Sequence, residues 1–255
     1  MTISESSVNP SSRFLSTCML GIGALLAGVS PAWAQVSLGA ASQFSVLGGT
    51  NVTCTGGSVV VGDIGVSSGS FTNTGCTVGG GSPSGTNAAA TQAQTDLLTA
   101  YSSLQSTTCT QTIVTPASTG NVPPLGPLAP GVYCFPAGAT FTATTLTLNG
   151  PSDGVWIFKV GAALTGTNFS VVMTGGGQPC NVFWSVGDAA TMTTSSIKGN
   201  IVAGNTADGS ITLTGGSIAG RALASVALTL TGTTVTGCAA LTLRSAGPLH
   251  LERTL

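Results

Sequence analysis

Ala190-Thr191-Met192-Thr193, Ile211-Thr212-Leu213-Thr214 and Leu228-Thr229-Leu230-Thr231 repeat one four-residue word at intervals of 21 and then 17 residues. A second word follows. Ser196-Ile197-Lys198-Gly199-Asn200-Ile201-Val202-Ala203 is answered by Ser217-Ile218-Ala219-Gly220-Arg221-Ala222-Leu223-Ala224, and Thr234-Val235-Thr236-Gly237 opens a third copy. The words alternate apolar and hydroxyl-bearing residues, the period of a strand with one buried face. A repeat near 20 residues carrying two strand-like words is one turn of a solenoid, whose coils bury their apolar sides against each other. Function in such a fold is sought on a face, not in a pocket.

Strand parity sorts the residues. Ile211, Leu213, Ala190, Met192, Leu228 and Leu230 point inward, while Ala189, Thr191, Thr193, Ser210, Thr212, Thr214, Ala227, Thr229 and Thr231 point outward. Stacked strands lie about 4.8 Å apart, and same-side residues about 6.7 Å apart along a strand. The outward threonines then form a two-dimensional grid of methyls and hydroxyls. Such a grid suits an ordered lattice such as ice better than any small molecule. Outward threonine ladders also stabilise solenoids that bind nothing, but a merely solvated face normally carries lysine and glutamate, and this one does not. Thr145-Leu146-Thr147-Leu148 carries the same alternation, so Thr145 and Thr147 join the candidate face.

Composition narrows the class. Only 5% of the 255 residues are charged and 37 are glycine, with a mean hydropathy of +0.46; ordinary domains carry about 25% charged residues. The long apolar run, Phe14 to Val29, follows Arg13 and ends in Pro31-Ala32-Trp33-Ala34. Ala32-x-Ala34 is a small-residue cleavage signal, so residues 1–34 read as a secretory signal peptide. Removing Cys18 with it leaves six of the seven cysteines: Cys54, Cys76, Cys109, Cys134, Cys180 and Cys238. An even number in an exported chain implies three disulfides, with about 15 pairings open. Net charge is −1 and no basic cluster exists, which argues against nucleic acid and against membrane association after cleavage.

The mature chain reads as one domain over residues 35–240. Ala89, Ala93, Leu97, Ala100, Tyr101 and Leu104 fall at helical spacing, which predicts a helix over about 87–106, capped by Thr86 or Asn87. Residues 67–86, rich in Gly, Ser and Thr, read as an irregular loop or cap. Five prolines make 110–131 extended and irregular. Residues 241–255 read as a free tail.

Taken together, these phrases resemble the bacterial and fungal ice-binding proteins of the DUF3494 family. The resemblance runs from about Leu38 to Cys238. It is carried by Ala41-Ser42-Gln43-Phe44-Ser45-Val46-Leu47, Gly62-Asp63-Ile64-Gly65-Val66, Ala93-Gln94-Thr95-Asp96-Leu97, Leu128-Ala129-Pro130-Gly131-Val132-Tyr133-Cys134, Val155-Trp156-Ile157-Phe158-Lys159-Val160-Gly161 and Cys180-Asn181-Val182-Phe183-Trp184. It implies an all-β fold: a discontinuous right-handed β-solenoid, triangular in section, with one long helix along its axis. It further implies a monomer whose partner is the surface of an ice crystal. The span from Val66 to Asn87 is too short for the family's cap subdomain, which points to its disulfide-closed form through Cys54 and Cys76. Cys109–Cys134 and Cys180–Cys238 are the remaining pairs.

Other activities fit less well. The body holds five carboxylates, Asp63, Asp96, Asp153, Asp188 and Asp208, none adjacent and none accompanied by a histidine, so neither an enzyme, a metal site nor a cofactor is expected. Asp63 reads as a turn residue, Lys198 and Arg221 as solvent-facing or bonded to turn carbonyls, and Trp156 and Trp184 as packing residues. The rival is a secreted structural or adhesive solenoid that binds polysaccharide or cell envelope. Asn51-Val52-Thr53 and Asn168-Phe169-Ser170 are N-glycosylation sequons, meaningful in a eukaryotic host.

Overall fold

Alternating apolar words of four to five residues become short parallel strands, and each corner between them hands the chain to a new sheet. The computed structural model describes residues 36–81, 88–115 and 120–238. The expected signal peptide, the helix-capping Thr86 and Asn87, and the expected tail fall outside them. Three parallel sheets of eight, seven and seven strands enclose one core. Together they make seven stacked coils, each contributing one strand to every sheet.

Numbered from one end, coil 1 holds Asp63–Val66, Ser70–Thr74 and Thr77–Val78, and coil 2 holds Phe44–Gly48, Asn51–Thr55 and Val59–Val60. Coil 3 is Ala222–Ala224, Ala227–Thr231 and Thr234–Val235; coil 4 is Asn200–Ala203, Ile211–Thr214 and Ser217–Ala219. Coil 5 is Val182–Val186, Ala190–Thr193 and Ser196–Lys198. Coil 6 is Trp156–Val160, Leu164–Thr167 and Ser170–Thr174, and coil 7 is Gly131–Phe135, Ala139–Thr142 and Thr145–Asn149. The order in space is not the order in sequence. The chain builds coils 2 and 1, crosses to the far end, and winds back from coil 7 to coil 3, which docks on coil 2.

The crossing element is helix α1, Ala88–Ser106. Its buried stripe is Ala90, Ala93, Leu97, Ala100 and Leu104, packed on Leu47, Val132, Ile157, Phe183, Val202 and Leu223 of the first sheet. This corrects one expected position: Ala89 is exposed and Ala90 takes its place, because the stripe follows steps of three and four from Leu97. Alanines let the helix lie close to the sheet, which is thereby covered. A second correction concerns residues 67–86: their described part is no irregular cap but the strands Ser70–Thr74 and Thr77–Val78 of coil 1. Those words lack apolar alternation because an end coil has core on one side only.

At the far end, the proline-rich segment closes the stack. Gln111–Thr112 pairs with Tyr133 and Cys134, Asn121 bridges Thr140, and Leu128 bridges Leu148. Inside, Tyr133, Phe158 and Trp184 stack along the axis with ring centroids 5.5 and 4.1 Å apart. Both indole N–H groups donate inward, Trp156 to the Leu128 carbonyl and Trp184 to that of Lys198, each at 3.0 Å. The disulfides are Cys54–Cys76, Cys109–Cys134 and Cys180–Cys238.

One corner turns the same way in every coil. The residue after the second sheet's strand is left-handed: Gly75, Gly56, Gly232, Gly215, Thr194, Asn168 and Ala143, with φ between 48° and 83°. At Gly215 an added Cβ would meet nothing nearer than 3.4 Å, so backbone strain alone opposes a side chain. Gly215→Val is expected to cost about 1–2 kcal/mol, measurable as a lower midpoint in denaturant. No change in midpoint would mean the corner relaxes out of the left-handed region.

Candidate functional face

The second sheet runs through all seven coils, and each of its strands contains Thr-x-Thr. Parallel pairing places the threonines in register across every neighbouring pair: Thr72 beside Thr53, Thr53 beside Thr229, Thr229 beside Thr212, and then Thr191, Thr165 and Thr140. The second column is Thr74, Thr55, Thr231, Thr214, Thr193, Thr167 and Thr142. In coils 2 to 7 the residues between the columns, and those just before the first column, point the other way, while Asn73 of coil 1 is exposed. Leu230, Leu213, Leu228 and Ile211 are at most 1% exposed, and Gly166 leaves room for the Met192 side chain in the core.

The pleat thus turns fourteen threonines outward. Thr72, Thr74, Thr142, Thr191, Thr212 and Thr214 are exposed, and the other eight are half-buried by their ladder neighbours. With seven coils at about 4.8 Å, the columns extend roughly 29 Å. A flanking row of small residues, among them Ala163, Ala189, Ser210 and Ala227, leads into them from the preceding turns. Coils 2 and 3 are joined across the columns: the Thr55 hydroxyl lies 3.2 Å from both the Thr231 hydroxyl and the Leu230 carbonyl.

Among the sequence candidates, Thr191, Thr193, Thr212, Thr214, Thr229 and Thr231 therefore lie together in coils 5, 4 and 3. Thr145 and Thr147 do not join them. They also point outward, but from the third sheet, where Thr145 pairs with Ser170 and Thr147 with Val172. The sequence reading also missed Thr53, Thr55, Thr72, Thr74, Thr140, Thr142, Thr165 and Thr167. The signal that finds them is phase: in every coil the Thr-x-Thr of this sheet precedes the left-handed corner residue, whereas Thr145 follows it. The third sheet is less uniform, with Val172, Lys198, Ala219 and Val61 among its outward residues.

No titratable side chain stands in the threonine columns. Asp188 and Asp208 occupy turns that lead into the face; Asp63, expected at a turn, instead opens the first strand of coil 1 and accepts the N–H of Gly81, 18 residues on. Of the two expectations for Arg221, solvent-facing or bonded to carbonyls, the structure shows the second: it is 8% exposed, and its guanidinium donates to the backbone carbonyls of Ser42 and Cys238. Lys159 donates to the Thr107 carbonyl beyond the helix end, and desolvation lowers its pKa. Asp96 on α1 is held below the ordinary carboxylate range, chiefly by the Ala40 N–H at 2.7 Å and then by the Gln92 amide.

A pH prediction follows from these placements. The lowered Asp96 contributes stability above its unfolded pKa, and that contribution is lost as pH falls through the lower folded value. Any adsorption by the threonine face is expected to stay constant from about pH 5 to 9, where no group on it titrates. The melting temperature is expected to fall only at more acid pH, as the Asp96 tether to the N-terminal turn protonates. Activity that changes severalfold between pH 5 and 9 would place a titrating group in the contact.

Among the described residues no cluster of three or more His, Cys, Asp or Glu side chains could hold a metal ion. No described helix is long and apolar enough to cross a membrane.

The known proteins that this chain resembles share its architecture. The family described as ice-binding-like matches residues 46–236. An ice-binding protein from Nostoc sp. (strain HG1) is 39% identical over 183 residues, 70% of this chain and 64% of that protein. The chain thus spans a little under two thirds of that relative's length. The crystal structure of an ice-binding protein from the Antarctic ascomycete Antarctomyces psychrotrophicus superposes with a TM-score of 0.65 at 30% identity, covering 81% of this chain and all of that one. The DUF3494 domain of Shewanella frigidimarina ice-binding protein_1 does so with a TM-score of 0.67 at 25% identity, covering 80% and 98%. Profile, sequence and fold agree, and the chain belongs to the ice-binding-like family.

Proposed function

We propose that the protein is an exported ice-binding protein that adsorbs to ice through the threonine face and so restrains crystal growth or recrystallisation. One observation carries the reading: seven coils repeat the same two outward threonines in unbroken register. The methyls favour ordered water in the spaces between side chains, and the hydroxyls anchor that layer until it merges with the crystal front. Each contact is weak. Affinity comes from many contacts whose spacing is fixed beforehand by the backbone ladders, so little order remains to be imposed on binding. The absence of charge from the columns keeps strongly hydrated groups out of the contact.

Residues 1–34 serve as the signal for export in this reading, and the three disulfides suit an oxidising compartment. The protein acts as a monomer without cofactor or enzymatic step, its partner being the ice surface. An adhesive role on polysaccharide has less support, since Trp156 and Trp184 are at most 1% exposed and offer no platform for a sugar ring. The test is adsorption itself. Fluorescently labelled protein should be taken up into a growing single-crystal ice hemisphere on defined planes. Exclusion from the ice, as for an ordinary soluble protein, would remove the proposal.

A further inference from the structure

The sequon Asn51-Val52-Thr53 lies within the threonine face, and that placement gives it a consequence. Asn51 opens the second strand of coil 2, whose alternation exposes Asn51, Thr53 and Thr55 on one side and buries Val52 and Cys54. It is exposed and stands between Ala227 of coil 3 and Ser70 of coil 1, in the flanking row just outside the two threonine columns. Its Oδ1 accepts the Ser70 N–H at 3.4 Å and the Ser70 hydroxyl at 3.3 Å. Its Nδ2, the atom a sugar would take, has no hydrogen bond among the described residues, and the side chain lies on the exposed side of the strand. The other sequon differs. Asn168 is exposed at the left-handed corner with φ 50°, where the chain leaves the face.

We propose that Asn51 is an N-glycan acceptor whose occupancy switches the threonine face off, a statement that rests on that face being the ice-contacting one. In the transfer, Nδ2 forms a C–N bond to the anomeric carbon of a lipid-pyrophosphate-linked oligosaccharide. The anomeric C–O bond breaks, the lipid pyrophosphate leaves, and one amide proton is released to solvent; nothing is oxidised or reduced. The fold accommodates the product because Asn51 lies on the outward, exposed side of its strand. A flat crystal does not accommodate it. Asn51 stands about 6.7 Å along the strand from Thr53, and a bulky hydrated glycan on it holds the ice front off the neighbouring threonines of coils 1 to 3. A glycan at Asn168 departs from the corner and leaves the columns clear.

The experiment compares full-length chain exported by a bacterium that lacks N-glycosylation with the same chain secreted by a yeast or mammalian cell. Asn168→Gln, secreted by the eukaryotic cell, should carry sugar at Asn51 alone by peptide mass spectrometry. It should lose at least tenfold in ice-recrystallisation inhibition while melting at the temperature of the same Asn168→Gln variant made by the bacterium. Asn51→Gln, glycosylated only at Asn168, should keep the bacterial protein's activity. An unoccupied Asn51, or an occupied one with activity within twofold of the unmodified protein, overturns the proposal. If the unmodified bacterial protein is itself inactive on ice, the proposed function fails instead, and sugar occupancy still reports separately on Asn51 as an acceptor.

Discussion

Thr212→Tyr is expected to reduce ice-recrystallisation inhibition at least tenfold, with little change in melting temperature. Thr212 lies in coil 4, the middle of the stack, exposed and flanked in register by Thr191 and Thr229. A phenol there stands above the methyl plane and keeps the surrounding threonines from reaching the crystal together. A tenfold loss is about 1.4 kcal/mol of adsorption free energy, a modest demand for a surface that works by the sum of weak contacts. Stability should move by no more than about 0.5 kcal/mol, because the side chain is exposed and tyrosine is a good strand residue. Thr145→Tyr supplies the control: Thr145 is also exposed but belongs to the third sheet, and the change should leave activity intact. If both variants lose activity alike, or neither does, the threonine face is not the contact.

The second large effect concerns the seam where coil 3 meets coil 2. Arg221→Leu is expected to cost about 3 kcal/mol and lower the melting temperature by roughly 6–12 °C. Nε and Nη2 of Arg221 donate to the Ser42 carbonyl at 3.0 and 2.8 Å, Nη2 to the Cys238 carbonyl at 3.1 Å, and Nη1 to Asn200 Oδ1 at 3.1 Å. Asn200, fully buried, donates in turn to the carbonyls of Cys180 and Val182 at 3.0 and 3.1 Å. One guanidinium thereby joins the N-terminal turn, coils 3, 4 and 5, and the segment after coil 3 that Cys180–Cys238 holds. Desolvation lowers its pKa, yet arginine starts so high that the group stays charged at neutral pH. Removing it strands the buried Asn200 Oδ1 and frees two part-buried carbonyls. Arg221→Lys should recover only part of the loss, since a single ammonium cannot span acceptors laid out for a planar fork. Unlike Thr212→Tyr, Arg221→Leu should keep its activity in the cold and lose it only near its lowered melting point. A shift under about 2 °C would show that this cluster does not hold the seam.

These two residues show how differently the site and its support could be read in advance. Thr212 was legible because alternation is local: a pleated strand sends Ile211 and Leu213 one way and Thr212 and Thr214 the other, whatever surrounds it. Arg221 could be placed only between solvent and turn carbonyls, because its counterpart in the repeat is Asn200, whose short amide says nothing about where a guanidinium would reach. What distinguishes it is the approach of Ser42 and Cys238, which no local pattern announces. The eight missed threonines failed for a related reason. Turn insertions such as Gly150–Gly154 lengthen the repeat in coils 6 and 7, and the threonines of coils 1 and 2 precede the helix in sequence.

Sequence alone determined the solenoid class, the small-residue stripe of α1 and the outward parity of the three Thr-x-Thr words of coils 3 to 5. These follow from steric periods that act over a few residues. Only the tertiary structure decided which words share a face, because Thr145-Leu146-Thr147 and Ile211-Thr212-Leu213-Thr214 alternate alike and are separated by the corner each lies beyond. It also set Thr55 beside Thr231, 176 residues away. That neighbourhood exists because the last coil wound finds its remaining backbone partners on the first one made, and a backbone ladder carries no record of distance along the chain.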